Sequence, residues 1–176
     1  MAINIPIINH PVARTFLKIL NLEASQLSLP ESQETMKVAV GAYAVLQTGA
    51  QLFNHSLIGS VIYGALSALI VYFSTHYLVR YLKQEDKFNR TVIAIAGMGA
   101  LGAAAYILLH FLFALALPPP LPTERLLRFL LFPIIIWLVF IYAFFYRHLD
   151  MRPVPAFTTA AFYVLLVEVI LSAVSR

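Results

Sequence analysis

Between Thr91 and Leu117 the chain runs for 27 residues, TVIAIAGMGALGAAAYILLHFLFALAL, without a formal charge. At about 1.5 Å rise per residue, such a run is longer than the roughly 30 Å of hydrocarbon in a bilayer, so it predicts a membrane-spanning helix with room to tilt. Its first half is lean. Ala94, Ala96, Gly97, Gly99, Ala100, Gly102, Ala103, Ala104 and Ala105 leave little bulk on any face. Small residues at four-residue spacing, Ala96 with Ala100 and Ala104 and again Gly99 with Ala103, let helix backbones approach in lipid, where no hydrophobic force drives helices together. The stretch is therefore expected at the centre of a helical bundle.

The rest of the chain agrees with that setting. It is 61% hydrophobic and 11% charged with a mean hydropathy of +0.83, against about 25% charged in an ordinary soluble domain. Its 176 residues hold four or five spans with short connections and no separate soluble domain. The absence of cysteine excludes disulfides, thiolate metal sites and cysteine catalysis. A net charge of +4 is too sparse for a nucleic-acid surface but suits anionic lipid headgroups. The N-terminal MAINIPIINHPVARTF lacks the pattern of a cleavable signal peptide, so insertion is expected to be directed by the spans themselves.

Taken in order, residues 1–35 form a polar N-terminal segment in which Pro11 to Leu22 groups Val12, Phe16, Ile19 and Leu20 near one face. This predicts a short amphipathic helix on the membrane surface, with Pro11 in its first turn. LEASQLSLPESQE reads as a linker. Residues 36–176 then divide into five spans: Met36 to Phe53, Leu57 to Leu82, Thr91 to Leu117, Thr123 to Tyr146 and Ala156 to Val174. The first is the most polar, with Lys37 at its start and Gln47 and Gln51 inside it, and it is expected to face other helices. The second has a close-packing stripe of Ser60, Gly64 and Ala68 and ends in an aromatic collar of Tyr72, Phe73, Tyr77 and Tyr81. Pro118, Pro119, Pro120 and Pro122 stop the third, and Pro133 is expected to kink the fourth. The fold class is all-α, an integral membrane bundle of five transmembrane helices.

The order of parts resembles the Yip-domain family of small five-span membrane proteins. Each has a polar N-terminal segment, five closely spaced hydrophobic helices, an aromatic fourth helix, here IIIWLVFIYAFFY, a short charged loop, and a last helix with an acidic residue in an apolar setting, here LLVEVILSA. The similarity covers residues 36–174, with no clear counterpart to the Gly-rich third span. It implies a non-enzymatic membrane protein, linked in eukaryotic relatives to trafficking and small GTPase binding, and it transfers no functional residue to this chain.

Glu168 is the most informative polar residue, because a carboxylate inside a span is costly and turns towards a partner or a cavity. With both ends of the bundle placed by five spans, Glu168, His110, Gln51 and His55 fall in one outer half and form a candidate polar cluster. Such a cluster suits a quinone, a lipid headgroup or a proton; a neutral Glu168 bonded to a neighbouring helix accounts for it more simply. His55 with His110, and His76 with His148, can be drawn as haem axial pairs, but no His-x-x-x-His or Glu-x-x-His spacing supports a metal, and no cofactor is expected. Arg80, Lys83, Lys87, Arg90, Arg147 and Arg152 form a basic rim for anionic lipids.

Two function classes follow. One is a structural, scaffolding or accessory subunit of a membrane complex, with membrane lipids and other membrane subunits as partners. The other is a binder or carrier of a small lipophilic ligand at the polar cluster. The expected location is a bacterial inner membrane with the N-terminus cytoplasmic and the C-terminus external. This orientation puts Arg14, Lys18, Lys37, Arg80, Lys83, Lys87, Arg90, Arg147 and Arg152, nine of the twelve Lys and Arg residues, inside, and leaves Arg125, Arg128 and Arg176 outside. A Lys87→Cys variant should therefore resist an impermeant thiol reagent applied to intact cells and react only once the membrane is opened; labelling from outside would reverse the topology.

Overall fold

The computed structural model describes residues 11–116 and 123–174. These form α1 (Pro11–Leu20), α2 (Gln33–Gln51), α3 (Leu57–Tyr81), α4 (Phe88–Ala116), α5 (Thr123–Arg147) and α6 (Pro153–Val174), with 3-10 turns at Gln26–Ser28 and Glu85–Lys87. Among the described residues there is no strand. Three helical stretches, Leu57–Tyr81, Glu85–Ala116 and Phe129–Arg147, are long and apolar enough to cross a membrane. α2 is not among them: Gln33, Glu34, Lys37, Gln47 and Gln51 lower its hydropathy. In α6 the stretch Pro153–Val167 is apolar but shorter. α5 continues through Pro133 without interruption, while the Pro118–Pro122 run lies outside the described residues.

Local chemistry sets the helix ends. Ser32 and Ser56 begin α2 and α3 with extended backbone, and their hydroxyls accept from the Thr35 and Gly59 amides at 3.4 and 3.3 Å, which satisfies an otherwise orphaned first-turn donor. At the C-termini of α1, α3 and α5 the chain leaves through Leu22, Lys83 and Asp150, with φ of 58°, 57° and 64°. Each is followed by an amide that reaches back five residues: Glu23 to the Lys18 carbonyl, Gln84 to Val79 and Met151 to Tyr146. This is the Schellman closure, with a side chain where glycine is usual, at a local cost of about 1–2 kcal/mol each. All three exits lie at one end of the bundle, which also carries Lys87 and is called here the basic end.

α4 lies against α2, α3 and α5, and α6 lies against α5 and α3. The stretch of α4 from Thr91 to Ala96 is closed on every side. Thr91, Val92, Ile93, Ala94, Ile95 and Ala96 are each at most 1% exposed, and six residues in succession complete more than one helical turn of about 3.6 residues. Missing side chains make this possible. A Cβ at Gly97 would run into the Phe16 ring of α1, and one at Gly99 into the Tyr43 ring of α2. From the other side Tyr142 of α5 reaches the Ile95 carbonyl at 3.4 Å and meets Tyr163 of α6 edge to face, with ring centroids 5.7 Å apart. Beyond Ala100 the same helix opens, and Leu101, Leu108, Phe111, Leu112 and Leu115 are exposed.

The amphipathic N-terminal helix is thus turned towards protein. Ile19 is fully buried and Phe16 covers Gly97, so this part of its apolar face meets α4. The segment after it, expected as a linker, crosses the basic end with Gln26 and Leu29 buried.

The α2–α3 pair approaches closely. Ser60, Gly64 and Ala68 are buried, and a Cβ on Gly64 would collide with Thr48 and with the backbone carbonyl of Ala44. Because a backbone carbonyl cannot rotate away, Gly64→Ala should destabilise by about 3 kcal/mol, the upper end of ordinary overpacking. Gly41→Ala is the control: an added Cβ there meets nothing within 4 Å, and better helix propensity should make it neutral or stabilising by up to about 1 kcal/mol. Thermal unfolding in one detergent compares them directly, and equal shifts would refute the close approach.

Candidate functional site

The polar residues gather at the two ends of the bundle. At the far end, the α2–α3 turn folds against the open half of α4. Asn54 donates from Nδ2 to the Tyr106 hydroxyl at 2.9 Å. The Phe53 ring stacks on the His110 ring, with centroids 3.9 Å apart and planes inclined by 24°, and it meets Phe111 edge to face. Gln51, the last residue of α2, and His55, inside the turn, lie at this same end and are half-buried. Among the described residues no hydrogen bond links His110 to either of them. The expected cluster is therefore only partly assembled: the chain brings His110 to the α2–α3 turn, but the group it meets is Phe53. The side chain of Glu168 lies outside the described residues, so its place in the cluster does too.

Sequence reading missed Phe53, Asn54 and Tyr106, the residues that make this contact. The signal was present in the spacing of Tyr106 and His110, which are one helical turn apart and therefore share a face. Two half-buried aromatic rings and an amide across an apolar helix end tie the turn to α4; they form no acid–base pair. Among the described residues no group of three His, Asp or Glu side chains is placed to hold a metal.

At the basic end the rim residues divide. Lys87 donates from Nζ to the His148 carbonyl at 3.2 Å and lies 3.7 Å from the Asp150 carboxylate, which also accepts from Gln84 at 2.8 Å. Arg90 pairs with Glu31 at 3.1 Å and so fastens the segment before α2 to the start of α4. Those two cations are engaged within the fold. Arg80, Lys83, Arg147 and Arg152 are exposed and remain for other partners.

Under this rim sits Gln26, fully buried. Its Nε2 donates to the Phe145 carbonyl at 2.7 Å, capping one of the carbonyls that a helix C-terminus leaves unpaired. Gln26 Oε1, Thr75 Oγ1 and Arg90 Nε are buried with no hydrogen-bond partner among the described residues. Beside this, Phe144, Arg147 and His148 line an open cleft of about 290 Å³.

The far-end contact can be measured. Phe53→Ala and His110→Ala, alone and together, should give a coupling energy of roughly 0.5–1.5 kcal/mol, the range of an aromatic pair. Additive losses in chemical or thermal unfolding would mean that the rings only lie side by side.

Comparison with family models, with curated proteins and with solved structures gives no match to this chain.

Proposed function

We propose that the chain is a non-enzymatic integral membrane protein that serves as a structural, scaffolding or accessory subunit of a larger membrane complex. In this reading α2 and α6 insert beside the three longer apolar helices to make five spans. The basic end faces the cytoplasm of a bacterial inner membrane, and the plan of the molecule is that of the Yip-domain proteins it resembles. The observation that carries it is how the interior is used. The Phe16, Tyr43 and Tyr142 rings rest against the buried half of α4, and at the open half Phe53 stacks on His110. A carrier needs a chamber; a scaffold needs a stiff core and free helix faces. α5 supplies such a face, with Phe129, Phe132, Ile135, Ile136 and Trp137 exposed.

The alternative, a binder of quinone or lipid at Glu168, His110, Gln51 and His55, requires Phe53 to leave the His110 ring. Purification from native membranes in mild detergent separates the two readings. A subunit should migrate as a defined species larger than one chain and revert to a single chain in a Phe132→Ala/Trp137→Ala variant that keeps its unfolding temperature. A single chain carrying one equivalent of extractable quinone or lipid, lost in His110→Ala, would overturn the subunit reading in favour of the carrier.

A further inference from the structure

We infer that the cleft at the C-terminal end of α5 is a discrete binding site for a terminal phosphate, a monoester or inorganic phosphate rather than a diester, held by Arg147 and His148 at the level of the lipid headgroups. The inference rests on the membrane reading above for its depth and on local geometry for its chemistry. The cleft, about 290 Å³ and open on one side, falls just below the roughly 300–1,000 Å³ of ligand pockets.

A helix C-terminus ordinarily repels anions, because its last carbonyls point outward with negative potential. Here each of them is already engaged. The Phe144 carbonyl accepts from His148 Nδ1 at 2.8 Å, and Phe145 accepts from Gln26 at 2.7 Å and from the His148 amide at 3.0 Å. Tyr146 accepts from the amides of Leu149 and Met151, and Arg147 from that of Asp150. The His148 carbonyl itself is covered by the Lys87 ammonium. What remains facing the cleft is positive or apolar.

His148 is fixed before any ligand arrives. A carbonyl can only accept, so Nδ1 carries the hydrogen towards Phe144, and Nε2 is the ring nitrogen left for the cleft. The ring also stands edge to face on Phe144, with centroids 4.5 Å apart. Nε2 can accept from a protonated phosphate oxygen. Arg147 is exposed and offers the planar fork that matches two phosphate oxygens. Asp150, the nearest acid in sequence, is drawn aside by Gln84 and Lys87. Phe144 supplies the apolar wall on which the glycerol end of a phospholipid would rest.

This differs from a general attraction of lipids to the basic rim, where each exposed cation counts about equally. The test uses the full chain, first reconstituted in phosphatidylcholine vesicles. Failure to insert there would strike the membrane reading and leave the site chemistry open to the second step. In that step the delipidated protein in neutral detergent is titrated with phosphatidic acid, phosphatidylcholine or inorganic phosphate, and bound ligands are counted by native mass spectrometry. One phosphatidic acid should be retained in preference to phosphatidylcholine. Arg147→Gln should weaken it by about tenfold or more, as expected for loss of a charge-assisted bidentate contact. Lys83→Gln and Arg152→Gln should each weaken it by no more than about threefold, in the range of surface charge effects. His148→Gln gives a second variant should Arg147→Gln unfold, with unfolding temperature recorded for both. Binding of inorganic phosphate with displacement of the lipid would identify free phosphate as the ligand, and retention of lipid against excess phosphate would identify the headgroup. Equal losses in the arginine and lysine variants, or no preference over phosphatidylcholine, would overturn the site.

Discussion

Two aromatic rings rest where α4 has no side chain, Phe16 over Gly97 and Tyr43 over Gly99, and the remaining architecture depends on those contacts. They bring α1 and α2 onto the same helix, and the absent side chain at Gly64 then brings α3 onto α2. On the membrane reading proposed above, contact between helices brings no hydrophobic gain, so attraction comes from many close dispersion contacts. A ring laid on bare backbone provides a large number of them, and glycine and alanine lose no side-chain freedom when they are covered. The closure of Thr91 through Ala96 follows from this geometry more than from the residues' own apolarity.

The elements of the fold were legible in the sequence because they follow local rules. The uncharged run from Thr91 announced α4, the stripe of Ser60, Gly64 and Ala68 marked the face of α3 that is buried, and the helices fall within a few residues of the expected segments. What stayed illegible was long-range. The segment LEASQLSLPESQE has the composition of a solvated linker, yet Gln26 is among the most buried residues of the chain, because its amide meets the Phe145 carbonyl 119 positions away. An apolar face such as that of α1 has the same periodicity whether it meets lipid or protein, and only the notch at Gly97 decides between them.

The candidate site shows the same division. Residue type and order brought His110 and the α2–α3 turn to one end, but the choice of Phe53 over Gln51 or His55 as the ring's neighbour depends on where a turn places its side chains. At the basic end, six cations of similar appearance in sequence separate by geometry into two kinds. Lys87 and Arg90 are consumed by Asp150, the His148 carbonyl and Glu31, whereas Arg80, Lys83, Arg147 and Arg152 stay exposed. Local sequence carries the sign of a charge and leaves its employment to tertiary proximity.

The contrast between the two halves of α4 has a mechanical consequence. From Thr91 to Ala96 the helix is enclosed by protein. Past Ala100 it is exposed on much of its surface, as is α5 between Phe129 and Trp137. When the hydrocarbon layer is thinner or thicker than the spans, the adjustment by tilt costs fractions of a kcal/mol per ångström, and it is borne where the helices are free to move. On the membrane reading proposed above, the end of α4 near Thr91 meets protein and the end past Ala100 meets lipid, so a change in membrane thickness falls first on the exposed half.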